Sequence, residues 1–87
     1  MTKELFKDSS RSMRDFAGVF EREELTSYFY LYEIGKGIAG AQNVTHQAHL
    51  APRNDIKIEW NSDETRVVLK LRNEVIAVFD VSLPLVQ

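Results

Sequence analysis

The stretch from Asp55 to Ser82 most constrains the fold, because its apolar residues recur at every second position. Ile56, Ile58 and Trp60 alternate with Lys57 and Glu59. After Asn61-Ser62-Asp63-Glu64, the residues Val67, Leu69 and Leu71 alternate with Arg66, Lys70 and Arg72. Asn73-Glu74 then separates this run from Val75-Ile76-Ala77-Val78-Phe79. Period-two patterning interrupted by turn residues marks a half-buried sheet, so three consecutive antiparallel strands are expected here. With Asn61 to Glu64 as the first loop, Trp60 faces Thr65, Ile58 faces Val67, Ile56 faces Leu69, and Glu59 lies opposite Arg66. With a two-residue turn at Asn73-Glu74, Leu71 meets Ile76 and Leu69 meets Val78, since asparagine tolerates the positive φ of such a turn. Val68, Ala77, Phe79 and Val81 then share the second face. That face calls for cover, from the N-terminal segment through Met13 and Phe16 or from another protein.

Upstream, Val19-Phe20-Glu21 reads as strand, Arg22-Glu23-Glu24-Leu25 as a charged turn, and Thr26 to Ile34 as a strongly β-prone run. Residues 35–40, with Gly35, Gly37 and Gly40, are expected to bend. Gln42 to His46 reads as a short strand, and Gln47 to Asn54 as loop or helical turn. Pro84 is expected to end the last strand. Residues 1–15 read either as a mobile arm or as a short helix capped by Ser9 or Ser10. The expected fold is mainly β (α+β): a single antiparallel sheet of five or six strands, with at most one short N-terminal helix, in one domain spanning residues 1–87.

The chain has 87 residues, 13 acids against 11 bases and a net charge of −2, which does not suggest a general nucleic-acid binder. It has no cysteine, which excludes disulfides, thiolate metal sites and cysteine nucleophiles. The run Met1-Thr2-Lys3-Glu4-Leu5-Phe6-Lys7-Asp8 has no apolar core of a secretory signal, and no apolar stretch is long enough to span a bilayer. A cytoplasmic protein is expected.

No catalytic set emerges. His46 and His49 would share a helix face, but no third ligand lies near them in sequence. Glu21, Glu23, Glu24 and Glu33 cluster around the charged turn, where Arg22 makes solvation a better account than acid–base work. Gly35-Lys36-Gly37-Ile38-Ala39-Gly40 matches a dinucleotide fingerprint in spacing but lacks the βαβ setting. The distinctive feature is Tyr28, Tyr30 and Tyr32. In an extended strand these project from one face, opposite Phe29 and Leu31. Such a ridge suits a protein interface, because tyrosine supplies rigid amphipathic area at little entropic cost. A competing reading joins Tyr30 to Lys57, Arg66 and Lys70 as a platform for single-stranded nucleic acid.

The run Gly18-Val19-Phe20-Glu21-Arg22-Glu23-Glu24-Leu25-Thr26-Ser27-Tyr28-Phe29-Tyr30-Leu31-Tyr32 resembles the opening of a small bacterial family of unknown function. The blocks Ile56-Lys57-Ile58-Glu59-Trp60-Asn61-Ser62-Asp63 and Ala77-Val78-Phe79-Asp80 are similar to the same family's later strands. By analogy of size and type, the resemblance implies an immunity partner of a bacterial toxin, as in contact-dependent growth inhibition. The expectation is a non-enzymatic protein with no cofactor or metal. Its partner is a cognate toxin, a basic nuclease domain in the first instance, held by Tyr28, Tyr30, Tyr32, Glu21, Glu23 and Glu24. Neither membrane nor nucleic acid is expected as a partner, and the oligomeric state is left open.

Overall fold

A computed structural model of the protein describes residues 4–81. Mainly β structure is what it shows, but the described residues form two antiparallel sheets instead of one. Strands β1 (Leu5–Ser10), β2 (Phe16–Arg22), β3 (Ser27–Glu33) and β4 (Gly37–Asn43) make a four-stranded meander. Strands β5 (Ile56–Trp60), β6 (Arg66–Leu71) and β7 (Glu74–Asp80) make a three-stranded one. Between them lie a single helical turn, α1 (Thr45–Ala48), and a 3-10 turn at Arg53–Asp55. Pro84 lies outside the described residues. No helix among the described residues is long and apolar enough to cross a membrane.

The sheets pack face to face. Phe20, Phe29 and Leu31 of the larger sheet meet Ile56, Val67, Leu69 and Ala77 of the smaller in one core, with Phe16, Ile58, Trp60 and Phe79 packed at its margin. The layers approach closely at Gly18 and Gly40. A Cβ on Gly18 would lie 2.7 Å from Val67 Cγ2, and one on Gly40 2.7 Å from the Phe79 ring. Side chains absent at these two positions let the backbone of one layer rest on the side chains of the other.

The N-terminal segment is a strand, where a mobile arm or short helix was expected. Leu5 to Ser10 pairs with Ala17 to Arg22 along its whole length. Leu5 is buried, and the Lys7 ammonium donates to the carbonyls of Arg53 (3.0 Å) and Ile56 (2.7 Å) in the opposite layer. These long-range bonds hold a segment whose own pattern is weak. Met13 sits exposed at the following turn and covers no sheet face.

The β5–β6 hairpin is offset by two residues from the expected register: Trp60 faces Val67, Ile58 faces Leu69 and Ile56 faces Leu71. The cause is Asn61, whose side-chain oxygen accepts the backbone N–H groups of both Thr65 and Arg66 at 2.9 Å. This makes Asn61 part of the ladder end. An offset of two keeps every side chain on its face.

The β6–β7 hairpin differs by one residue, which does exchange faces. Its turn is Arg72-Asn73, with φ of 52° and 73°, instead of Asn73-Glu74. Asp55 anchors this turn by accepting from the backbone and the guanidinium of Arg72. The moved turn alone displaces the pairing by two; a bulge between Leu69 and Lys70 takes one back, so that Leu69 faces Ala77 and Val67 faces Phe79. Ala77 and Val81 are buried in the core, so the second face carries only Val68, Val75 and Val78 as apolar groups and needs no cover.

Downstream of β3, Gly35 turns the chain with a φ of 86°. The segment expected to run irregularly from 35 to 40 is largely strand β4, and the strand placed at Gln42–His46 gives way to α1 after Asn43.

Candidate functional site

Strand β3 alternates as its spacing predicts. Ser27, Phe29 and Leu31 are buried, whereas Tyr28 and Tyr30 are half-buried and Tyr32 is 39% exposed. The tyrosines lie on the outer face of the four-stranded sheet. Cross-strand pairing sets them in rows: Phe6, Glu21, Tyr28 and Asn43; then Asp8, Val19, Tyr30 and Ala41. A third row brings Ser10, Ala17, Tyr32 and Ile38 together. Phe6 and Ile38 are exposed, so the open aromatic surface extends beyond the three tyrosines. The Tyr28 and Tyr30 rings stack at 5.6 Å, 9° from parallel. Asn43 Nδ2 donates to the Tyr28 hydroxyl at 3.4 Å.

Glu21 stands between Phe6 and Tyr28 in the first row. Burial and the neighbouring Glu23 push its carboxyl above the usual range. The same acids, after burial, push the Tyr30 hydroxyl up. Glu23 and Glu24 are exposed in the β2–β3 turn. The carbonyl of Glu24 accepts from His49 Nε2 at 3.0 Å. In the neutral ring His49 Nδ1 then accepts from Ser27 Oγ, 2.9 Å away. His49 thus ties the acidic turn to α1. It does not converge with His46 on a third ligand: no cluster of three or more metal-ligating side chains occurs among the described residues. The shallow depression beside these histidines is lined by Thr45, Leu71 and Arg72 among others and has no carboxylate.

The outer face of the three-stranded sheet is of another kind. Arg66 pairs with Asp80 at 2.7 Å and Lys70 with Glu59 at 2.9 Å, while Arg72 pairs with Asp55 at 2.8 Å beside the hairpin. The Lys70 hydrogen bond holds the Glu59 carboxyl below its usual range. Lys57, Arg66 and Lys70 therefore lie on one outer side of the two-layered body and Tyr30 on the other. The combined platform for single-stranded nucleic acid has no common surface on which to form.

Two buried arginines escaped the sequence reading. Arg22, placed there in a solvated turn, is 7% exposed, and its Nη1 lies 2.7–3.3 Å from the carbonyl oxygens of Ala48, His49 and Ala51. Arg11 is 3% exposed and donates twice to Asp15, at 2.7 and 2.8 Å, and once to the Glu64 carbonyl at 2.8 Å. It also lies over the rings of Phe16 and Trp60. Its bonds hold Asp15 below the usual carboxylate range and fasten the β1–β2 turn to the β5–β6 loop. Both residues support the framework under the tyrosine face. No local signal marks a surface-type residue as buried when its partners are distant in sequence.

These features define a small two-layered antiparallel β protein, one outer face neutralised by ion pairs and the other aromatic and open. Over residues 1–83 the chain matches the bacterial family DUF2251, described as an uncharacterized protein conserved in bacteria, and it belongs to that family. No curated protein and no solved structure matches it.

Proposed function

We propose that the protein is a non-enzymatic immunity protein. In this reading it acts in the cytoplasm, binds a cognate bacterial toxin through the outer face of the four-stranded sheet, and occludes the toxin's active site. The observation that carries the proposal is the unfinished character of that face. Tyr32, Phe6 and Ile38 are exposed there, and Tyr28 and Tyr30 are half-buried. Tyrosine-rich, half-buried surface of this kind is what protein interfaces use as anchors. Glu21 and Glu23, held close despite like charge, favour a basic partner, and a nuclease domain with a cationic cleft has that complementarity. The link to contact-dependent growth inhibition rests on the resemblance in size and type alone.

The test is growth rescue. A toxic domain encoded beside this chain is expressed in a host with and without it. Rescue by the wild type, and its loss in Tyr30→Ala at an equal level of folded protein, is the expected result. Absence of any toxic neighbouring product, or rescue indifferent to Tyr28→Ala, Tyr30→Ala and Tyr32→Ala together, contradicts the proposal.

A further inference from the structure

Two sheets leave four edge strands: β1 and β4 in one, β5 and β7 in the other. Exposed edges offer unpaired N–H and C=O groups to other chains, and proteins usually blunt them with charge, bulges or cover. Three of these edges are blunted. β1 carries Lys7 and Asp8, and its Ser9 carbonyl accepts from Trp60 Nε1 at 2.9 Å. β5 carries Lys57 and Glu59, and its Ile56 carbonyl accepts from Lys7. β7 is flanked by Glu74 and Asp80 and bulged, and its Val78 carbonyl accepts from Gln42 Nε2 at 2.7 Å.

β4 differs. Like β7 it is bulged, here at Ala39, but Gly-Ile-Ala-Gly-Ala-Gln-Asn contains no charge and no proline, and β3 alone pairs with it among the described residues. Ile38 is 61% exposed, and Ala39 and Ala41 are exposed as well. We infer that β4 is a self-association edge, on which a second copy of this chain adds its own β4 antiparallel to form a continuous eight-stranded sheet. The inference is independent of what binds the tyrosine face.

A second copy is the occupant the edge fits. Antiparallel self-pairing about Ala41 sets Ala41 against itself and Gly40 against Gln42 of the second copy, with the bulge at Ala39 ending the regular register. Small or uncharged residues meet throughout, so no like charges oppose one another. Residues on one side of the strand stay paired with residues on the same side, because Ala41 lies on the tyrosine side and Gly40 and Gln42 on the core side. The contact is isologous and closes on itself, so it ends at two copies. Pairing β4 with β1, β5 or β7 of another copy would meet the charges and side-chain bonds described above.

The chain's lack of cysteine supplies the test. Directly opposed residues of an antiparallel pair have Cα atoms about 4.5–5.5 Å apart, within the range of about 4.4–6.8 Å that a disulfide spans. Ala41→Cys is therefore expected to form a cross-linked dimer under mild oxidation, much faster than Ser10→Cys on the exposed side of β1. In sedimentation equilibrium the wild type is expected to associate as its concentration rises. Ala41→Lys, which opposes two ammonium groups at the symmetry axis, should weaken that association by about tenfold or more. Circular dichroism checks that each variant keeps the wild-type fold. A wild type that stays monomeric at every concentration, a dimer that survives Ala41→Lys, or Ala41→Cys cross-linking no faster than Ser10→Cys overturns the inference.

Discussion

The two outer faces of this molecule meet water differently, though both are antiparallel sheets of similar strand length. On the three-stranded sheet the charges are paired across strands, Arg66 with Asp80 and Lys70 with Glu59, and only valines lie between them. On the four-stranded sheet, stacked tyrosine rings are flanked by exposed Phe6 and Ile38, with Glu21 and Glu23 crowded at one end. The first arrangement is complete as a solvated surface. The second keeps aromatic area open and like charges close, which costs stability in the free protein and makes sense when another molecule settles on it. The difference teaches where to look for function in such a fold: at the face whose chemistry is left unbalanced.

Neighbouring positions on β3 sharpen the comparison most strongly. Phe29→Ala removes a fully buried ring from the core. It should cost about 3–5 kcal/mol in urea unfolding. Tyr30→Ala, one residue on and facing outward, should cost less than half as much in the same measurement, since its ring keeps solvent access on one side. Equal losses would mean that Tyr30 belongs to the core and that the two faces of β3 are not distinct.

In binding the order should reverse for the outward residue. With a captured partner in hand, Tyr30→Ala is expected to lose about 2 kcal/mol or more of affinity by calorimetry, as a buried interfacial anchor does. Unchanged affinity with the fold intact would remove Tyr30 from the interface.

The tyrosine face was legible before any coordinates, because a period of two places alternate residues on opposite faces whatever the register. The β5–β6 offset of two residues did no harm for the same reason. What failed was local geometry that flips parity or has no local signature. Arg72 in a left-handed turn is an uncommon choice for a long side chain, but the turn it makes shifts the pairing by two and keeps parity; the bulge between Leu69 and Lys70 adds the odd residue that takes Ala77 into the core. The strand at Leu5–Ser10 carries Lys7 and Ser9 on its inner side, so its pattern does not announce a sheet. Phe6 could not be assigned to the tyrosine face without knowing that β1 exists.

Acid titration separates the two kinds of carboxylate. Asp15 is held down by hydrogen bonds from Arg11, and Glu59 by that from Lys70. The folded chain releases these protons more readily than the unfolded chain does. Their contribution is present above the ordinary carboxylate range and is lost as pH falls through the lower folded values. Glu21 acts in the opposite sense. Burial, with Glu23 beside it, raises its value, so the contribution of this group falls as pH rises from the ordinary carboxylate range through the raised value. Asp15→Asn should therefore flatten the acid limb of a plot of urea midpoint against pH. Glu21→Gln should raise the midpoint near neutrality while weakening a basic partner. A lower neutral midpoint for Glu21→Gln would show that the carboxylate is balanced within the free protein.

The smallest effect belongs to the ion-paired face. Lys70→Ala, Glu59→Ala and their double variant should yield a coupling within the error of urea unfolding, as exposed pairs ordinarily do. Each should leave partner affinity unchanged. A larger coupling would give the three-stranded face a structural weight that its exposure does not suggest.

Amide and side-chain chemical shifts of isotopically labelled protein, followed as the proposed toxin partner is added, test the central claim most directly. The account predicts that changes gather at Phe6, Val19, Glu21, Tyr28, Tyr30 and Tyr32 and spare Lys57, Arg66 and Lys70. Changes confined to the ion-paired face, with the tyrosine signals unmoved at saturation, would contradict it.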